Sequence, residues 1–271
     1  MKENILRKIT EERRLDVERL RKDVSPESLA EACEDRTYRS MANALTGSNG
    51  PGIIAEVKKA SPSAGILVED YRPEEIASGY ETAGACAVSV LTEPRYFKGS
   101  GEHLRRVREA TNLPVLRKDF ICHEYQVLEA AAWGADIVLL IVAALERADL
   151  NRLNEYALEL GLETLVETHT VEEIEAALSL QGAIIGVNSR NLKTLETDLA
   201  VAENMAAAVP CDKVSVAESG IKSAFDISRL SRLGYNGFLI GEMLLAESNP
   251  VDELKLLIRG LDATDAVQDE D

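Results

Sequence analysis

Short apolar, β-branched runs recur along the chain at Ile53–Val57, Ala87–Leu91, Val115–Leu116, Ile137–Val142, Thr164–Val166, Ile184–Val187, Val214–Ala217 and Gly237–Ile240. Each is too short for a helix. None alternates cleanly between apolar and polar, which is the pattern of strands buried on both faces. Between them lie segments with helical spacing: Pro73–Ala83, His103–Ala110, Glu124–Trp133, Leu150–Leu160, Val171–Leu180, Asp198–Val209 and Ala224–Leu233. Gly134 and Gly161 close two of these segments, the usual place for glycine at a helix C-terminus. Strands alternating with helices in this way predict an α/β fold, a (β/α)8 barrel. A doubly wound open sheet is the structural alternative, and the even spacing of eight units favours closure.

The first 45 residues read as helices packed on that barrel. Ile5, Leu6, Ile9, Leu15 and Leu20 form one rough apolar face among charges. Ser25-Pro26 reads as an N-cap followed by proline at the first helical position. Thr46–Gly52 is a turn cluster. Residues 1–262 are therefore expected to form a single domain. The segment from Ala263 to Asp271 is acidic, lacks large apolar residues and is expected to be a disordered tail.

In such barrels chemistry gathers at the C-terminal ends of the strands, and the residues there are distinctive. The first run leads into Glu56, Lys58 and Ser61-Pro62-Ser63, the second into Thr92-Glu93, the third into Arg117-Lys118-Asp119-Phe120. The fifth ends in Glu167, the sixth in Asn188-Ser189-Arg190-Asn191, the seventh in Glu218-Ser219-Gly220 and the eighth in Gly241. One such residue is ordinarily a solvated cap. Two lysines with glutamates on three strands, converging on one mouth, point instead to proton transfer. Buried lysines near other cations have lowered pKa values and act as acids. Ser219, Gly220 and Gly241 fit the phosphate site common at this end of the barrel, where backbone N–H groups hold the anion, often at a short extra helix. A sugar phosphate is the substrate class this combination suggests.

Composition changes the picture in one respect. Among 271 residues, 30 are Lys or Arg and 47 Asp or Glu, giving a net charge of −17 and a pI near 4.7. Hydrophobic residues make up 45%, enough for a sizeable core. An acidic surface repels nucleic acid and anionic membranes, so neither is an expected partner. Only 11 of the basic residues are lysine. That acidic, lysine-poor balance suggests a protein that works in concentrated salt, where self-repulsion is screened. The N-terminus lacks the apolar core of a signal peptide and no run is long enough to span a bilayer, so a cytoplasmic location is expected. Cys33, Cys86, Cys122 and Cys211 are far apart and read as buried free thiols, not as a zinc site. His103, His123 and His169 have no metal-ligand spacing and read as surface residues. No nucleophile elbow, P-loop or metalloprotease helix occurs.

Several segments resemble the indole-3-glycerol phosphate synthase family. They are Ile54-Ala55-Glu56-Val57-Lys58-Lys59-Ala60-Ser61-Pro62-Ser63, Leu116-Arg117-Lys118-Asp119-Phe120, Leu165-Val166-Glu167, Gly186-Val187-Asn188-Ser189-Arg190-Asn191-Leu192 and Val216-Ala217-Glu218-Ser219-Gly220-Ile221. They occur in the family's order, over a resemblance that runs from the N-terminal helices to Leu245. The resemblance implies closure of a pyrrole ring on 1-(2-carboxyphenylamino)-1-deoxyribulose 5-phosphate, with loss of CO2 and water, in tryptophan biosynthesis. It implies no metal or organic cofactor, and relatives are often monomers. It would make Lys118 the acid that protonates the substrate ketone. Glu167 and Lys58 would share the later proton transfers, and Glu56 and Asn188 would orient the lysine and the sugar hydroxyls. Glu218 would line the mouth and Arg190 would pair with the aromatic carboxylate. Ser61, Ser219, Gly220 and Gly241 would hold the phosphate, with Phe120 and Leu139 forming an apolar wall. Two positions depart from the pattern. Glu242 stands where several relatives have Ser or Thr, and Ala60 where some have lysine. Another phosphate-binding barrel, such as phosphoribosylanthranilate isomerase, and a non-catalytic ligand-binding barrel are the competing readings. The two-lysine set speaks against both.

Overall fold

The computed structural model describes residues 5–34, 36–47, 50–62, 64–192, 194–245 and 249–268, with side chains to Ala263 in the last segment. Eight parallel strands close into a barrel: β1 (Gly52–Val57), β4 (Ala87–Leu91), β5 (Val115–Lys118), β6 (Ile137–Ile141), β7 (Glu163–Thr168), β8 (Ile184–Asn188), β9 (Ser215–Glu218) and β10 (Gly237–Ile240). β1 pairs with β4 on one side and with β10 on the other, which closes the ring and excludes the open sheet. Two short strands, β2 (Ala60–Ser61) and β3 (Gly65–Ile66), make a hairpin in the loop after β1. Ser63, at its tip, lies outside the described residues.

Helices α4 (Pro73–Ala83), α5 (Gly101–Ala110), α6 (Glu124–Trp133), α7 (Arg147–Glu159), α8 (Val171–Leu178), α9 (Ala200–Met205), α10 (Ala224–Ser231) and α11 (Pro250–Gln268) follow the barrel strands in turn. The helix expected over Asp198–Val209 is shorter: α9 ends at Met205 and a 3-10 turn covers Ala206–Ala208 before Pro210. α11 had no counterpart among the expected helices. Leu254, Leu257 and Leu261 are buried and the helix packs on α4 and α10. It continues to Gln268, where a structureless tail was expected from Ala263. Residues 269–271 of that tail lie outside the described residues.

Side chains alternate between the two faces of a strand, so the barrel builds two cores. Outward residues such as Ile53, Val88, Val138, Val166, Ile185 and Phe238 pack under the helices. Inward residues, including Ile54, Leu116, Ile137, Leu139, Leu165, Ile184, Val216 and Leu239, fill the barrel. Fully burying one such side chain contributes about 1.5–3 kcal/mol.

Among the described residues, three helices precede the barrel: α1 (Ile5–Asp23), α2 (Pro26–Glu31) and α3 (Met41–Thr46). Ser25 caps α2 through its side chain, with Pro26 at the first position, as its sequence predicts. α3 plugs the N-terminal end of the barrel. A Cβ on Gly52 or Gly237 would come within 2.6 or 2.9 Å of Leu45 Cδ2, so Leu45 enters only because both strands begin with glycine. Glu163, the first residue of β7, accepts the backbone N–H groups of Met41 and Ala42 at 2.7 and 3.1 Å, and satisfies α3's exposed donors. α1 crosses toward the other end. Arg13 donates to both oxygens of Asp119 at 3.0 and 2.8 Å, with both side chains buried.

The cysteines are not uniformly buried. Cys122 is buried, Cys33 and Cys86 are half-buried and Cys211 is exposed; all four are free. Among the described residues, no helix is long and apolar enough to cross a membrane.

Candidate active site

Glu56 falls inside the first apolar run, and β5, β7, β8 and β9 extend past theirs; this decides where the polar residues point. Glu56, Lys118, Glu167, Asn188 and Glu218 are residues of the strands, not of the loops after them. Each stands two positions beyond Ile54, Leu116, Leu165, Gly186 or Val216, the first three and the last of which point into the barrel. The period of two therefore turns all five toward the axis, above an apolar floor. The flanking residue Arg117 turns outward. It is fully buried beneath α6, paired with Asp119 at 3.0 Å and Glu129 at 3.2 Å, and stacked over the Trp133 ring. Thr92 donates to Asp119 Oδ2 at 2.7 Å, and Glu93 accepts the backbone N–H groups of Arg95, Tyr96 and Phe97. These two residues shape a loop outside the cavity.

A cavity opens at this end of the barrel, and every residue to which the resemblance gave a role lies on its wall. At its centre Lys118 Nζ stands 3.0 Å from Glu218 Oε2 and 3.3 Å from Glu167 Oε2. Lys58 Nζ is 2.5 Å from Glu56 Oε1. Leu139 and Phe120 form apolar wall, and Phe97 extends it, its ring 6.2 Å from that of Phe120. Ser61, Ser219, Gly220 and Gly241 line a rim. Ser219 and Gly220 adopt positive φ values of 65° and 83°; for Ser219 this is strained backbone of the kind that collects at binding sites. No helix follows directly; α10 begins only at Ala224, and the chain leaves β9 through this turn.

The electrostatics differ from the expected lowered lysine. Burial works against the charge of Lys118, but Glu218, Glu167 and Glu56 outweigh it and hold the proton more tightly than on a free lysine. Its neighbours are carboxylates, not cations, which reverses the sign of the shift. Burial also opposes the charge on Glu167, yet Lys118 and His169 hold its carboxyl down at about 2. For Glu218 burial prevails over the pull of Lys118, Glu167 adds repulsion, and the group is pushed up to about 7. Glu56 is lowered: Lys58 and Lys118 overcome its burial. Two carboxyls on one ammonium are thus driven apart, one firmly ionised and the other poised near neutrality. Such separation marks acid–base machinery.

Two glycines make room for these carboxylates. A side chain at Gly186 would overlap Glu218 Oε1, and one at Gly241 would overlap Glu56 Oε1. Gly241, read from the sequence as part of an anion site, is thus also a spacer for Glu56.

Asn188 Oδ1 accepts the Arg190 backbone N–H at 2.9 Å and orients that turn. The Arg190 guanidinium pairs with Glu242, one of the two residues that depart from the family pattern. Ile5, Leu6 and Ile9 of α1 also line the cavity. Their apolar face is visible in the sequence; which surface it covers is not. The histidines are half-buried, not surface residues. His123 Nδ1 caps α6, His103 packs edge-on against Tyr71, and His169 lies between Glu167 and Glu173.

The fold and this cavity define a (β/α)8 barrel with a lysine and several carboxylates at the last inward positions of its strands, around a pocket open at their C-terminal ends. Two solved structures illustrate the fold. One, described as a native KDPGal structure, is 15% identical over 82% of this chain and 98% of that chain, with a TM-score of 0.55. The other, a cube-shaped, highly porous protein cage designed by fusing symmetric oligomeric domains, is 13% identical over 82% and 76%, with a TM-score of 0.58. At these identities they share architecture alone. The family model for indole-3-glycerol phosphate synthase matches residues 6–257, and the chain belongs to that family. It is a carboxy-lyase of tryptophan biosynthesis, acting on a phosphate-bearing small molecule.

Proposed function

We propose that the residues brought together at the barrel mouth divide the synthase reaction as follows. The phosphate of 1-(2-carboxyphenylamino)-1-deoxyribulose 5-phosphate sits at Ser61, Ser219, Gly220 and Gly241, with help from Lys58. Arg190 takes the aromatic carboxylate, and Phe120 and Leu139 flank the ring. Anchored at both ends, the ring carbon is held against the ketone, and orientation of this kind replaces much of the entropic barrier. As the carbon–carbon bond forms, electrons move onto the ketone oxygen and Lys118 delivers its proton there. The carboxylates around Lys118 make it a weak acid at rest, so the transfer waits until the oxygen becomes strongly basic as the bond forms. The carboxylate then leaves as CO2 and its bonding electrons restore the aromatic ring. Glu167 and Lys58 carry the protons of the final dehydration, one as base and one as acid. Glu56 holds Lys58, Glu218 holds Lys118, and Asn188 shapes the Arg190 turn and reaches the sugar hydroxyls.

The observation that carries this reading is the suspension of Lys118 Nζ between Glu167 and Glu218 at the cavity floor. The test is Lys118→Ala, assayed with the carboxyphenylamino deoxyribulose phosphate by following indole fluorescence. Turnover should vanish while the substrate still binds; near-normal kcat would overturn the assignment.

In this reading residues 1–262 act as one domain and as a monomer in the cytoplasm, without nucleic-acid or membrane partners. The charge of −17 with few lysines supports a concentrated-salt environment. The bound anion is accommodated locally, where Lys58, Lys118 and Arg190 gather in an otherwise acidic protein.

A further inference from the structure

The two oxygens of Glu167 face different partners. Oε2 is 3.3 Å from Lys118 Nζ, and Oε1 is 3.4 Å from His169 Nε2. The other ring nitrogen of His169, Nδ1, is 3.4 Å from Glu173 Oε2. That same oxygen accepts the His169 backbone N–H at 2.7 Å. Glu173 lies in the first turn of α8, whose N-cap is Thr170. Thr170 Oγ1 accepts the Glu173 N–H at 3.3 Å, so the helix start is capped without the imidazole ring. The ring is largely enclosed, with 14% of its side chain exposed, yet it is not part of the cavity wall. It stands behind Glu167, as seen from the substrate space, and its Nε2 edge has no capping duty to perform.

We propose that His169, anchored by Glu173, is a positioning residue that fixes Oε1 of Glu167 and so aims the opposite oxygen at Lys118 and the substrate. The proposal rests on the proton-transfer role assigned to Glu167 above. A glutamate has three rotatable bonds, and a proton carrier must keep its oxygen within about 0.5 Å of the productive position. Lys118 and the Asn188 side chain also hold this carboxylate; a cationic ring 3.4 Å from the second oxygen adds a restraint from the side away from the cavity. Glu173 does for the imidazole what the imidazole does for Glu167. Burial disfavours the charged ring, but the two carboxylates outweigh it and lift His169 to about 10, so both ring nitrogens carry protons at neutral pH. The array is carboxylate, imidazolium, carboxylate, running from the cavity to the rim of α8.

The two ring nitrogens separate this role from a merely structural one. A glutamine amide reaches about as far as Nε2, whereas an asparagine amide reaches only the Nδ1 position. In the full-length protein, His169→Asn should lower kcat about 10- to 100-fold, the cost typical of a misaimed proton carrier. His169→Gln should stay within about fivefold of wild type, because it restores a donor to Glu167. KM should change less than about threefold in both, since the ring does not line the cavity, and their melting temperatures should agree. Equal kcat values for the Asn and Gln variants, or unchanged kcat in His169→Asn, would overturn the proposal. Should His169→Asn fail to fold, Glu173→Gln serves instead: a severalfold loss of kcat at constant KM supports the array, and unchanged kcat overturns it. Glu167→Gln separates the two levels. If it turns over normally, the role of Glu167 fails and the proposal with it. If it is inactive while His169→Asn is intact, only the proposal about His169 fails.

Discussion

Gly186→Ala is a one-methyl change whose effect can be worked from geometry. Gly186 lies in β8, has no left-handed backbone requirement, and is buried beside the site. An added Cβ would lie well inside 3.0 Å of Glu218 Oε1, with Leu165 Cδ1 at 3.2 Å and the Val166 carbonyl oxygen at 3.4 Å. Backbone and leucine can accommodate it; the carboxylate must move by about 1 Å to reach van der Waals contact. The Lys118–Glu218 contact at 3.0 Å would then open to about 4 Å, and at an effective dielectric constant of about 20 the lost attraction is about 1.4 kcal/mol. Overpacking adds about 1–3 kcal/mol, and the stiffer unfolded chain returns about 0.4–1. The expected net loss is about 3 kcal/mol, or about 6–12 °C in melting temperature for a chain of this size. Displacing a carboxylate that holds the acid by this distance should cost about 100-fold in kcat. Glu218→Asp shortens the side chain by about 1.5 Å and clears the methyl. The double variant should therefore recover stability without recovering activity, with a coupling of at least about 1 kcal/mol in a double-mutant cycle. Calorimetry and the fluorescence assay read both quantities. Wild-type melting and turnover in Gly186→Ala, or a cycle that is simply additive, would refute the claim that this glycine is a spacer for Glu218.

Three further outcomes are expected. Glu218 has its folded value lifted from about 4.5 to about 7, so its contribution to stability is present below that interval and lost as pH rises through it. Glu218→Gln should consequently gain in urea midpoint relative to wild type between pH 5 and pH 8; a constant or reversed difference would contradict the burial argument. Glu242 occupies Arg190 with most of its own side chain exposed, so Glu242→Gln should free the guanidinium for the substrate carboxylate and lower KM about two- to fivefold, as an exposed ion pair permits. An unchanged or raised KM would show that Glu242 does not compete there. The acidic excess should make the protein lose structure in dilute buffer and regain it in molar KCl, and a circular dichroism signal that is flat between the two would exclude the salt-adapted reading.

Much of the site was legible because strand periodicity is short-range. The run Val115-Leu116-Arg117-Lys118 already places Leu116 and Lys118 on one face, and the same holds for Leu165 with Glu167 and Val216 with Glu218. The family motifs then supplied the chemistry. Three things were not legible. Arg117 looked like part of the charged mouth, but the odd-even alternation turns it away from the cavity and under α6. The sign of the Lys118 shift depends on which groups lie within about 4 Å, and Glu218 is separated from it by 100 residues in sequence. His169 looked like a loop histidine, since nothing local to it indicates that Glu167 and Glu173 enclose the ring from both sides.

By itself, then, the sequence determined the order of strands and helices, the barrel class, the family and which polar residues stand at the strand ends. The elements and the barrel class follow from local periodicity and the family from its motifs, and neither needs knowledge of distance. Only the tertiary structure decided the ionisation of those groups, the glycine spacers at Gly186 and Gly241, and the roofing of the cavity by Ile5, Leu6 and Ile9. Each depends on closure of the barrel, which brings residues from distant strands into a common low-dielectric space. There the balance between desolvation and a partner at about 3 Å sets the chemistry.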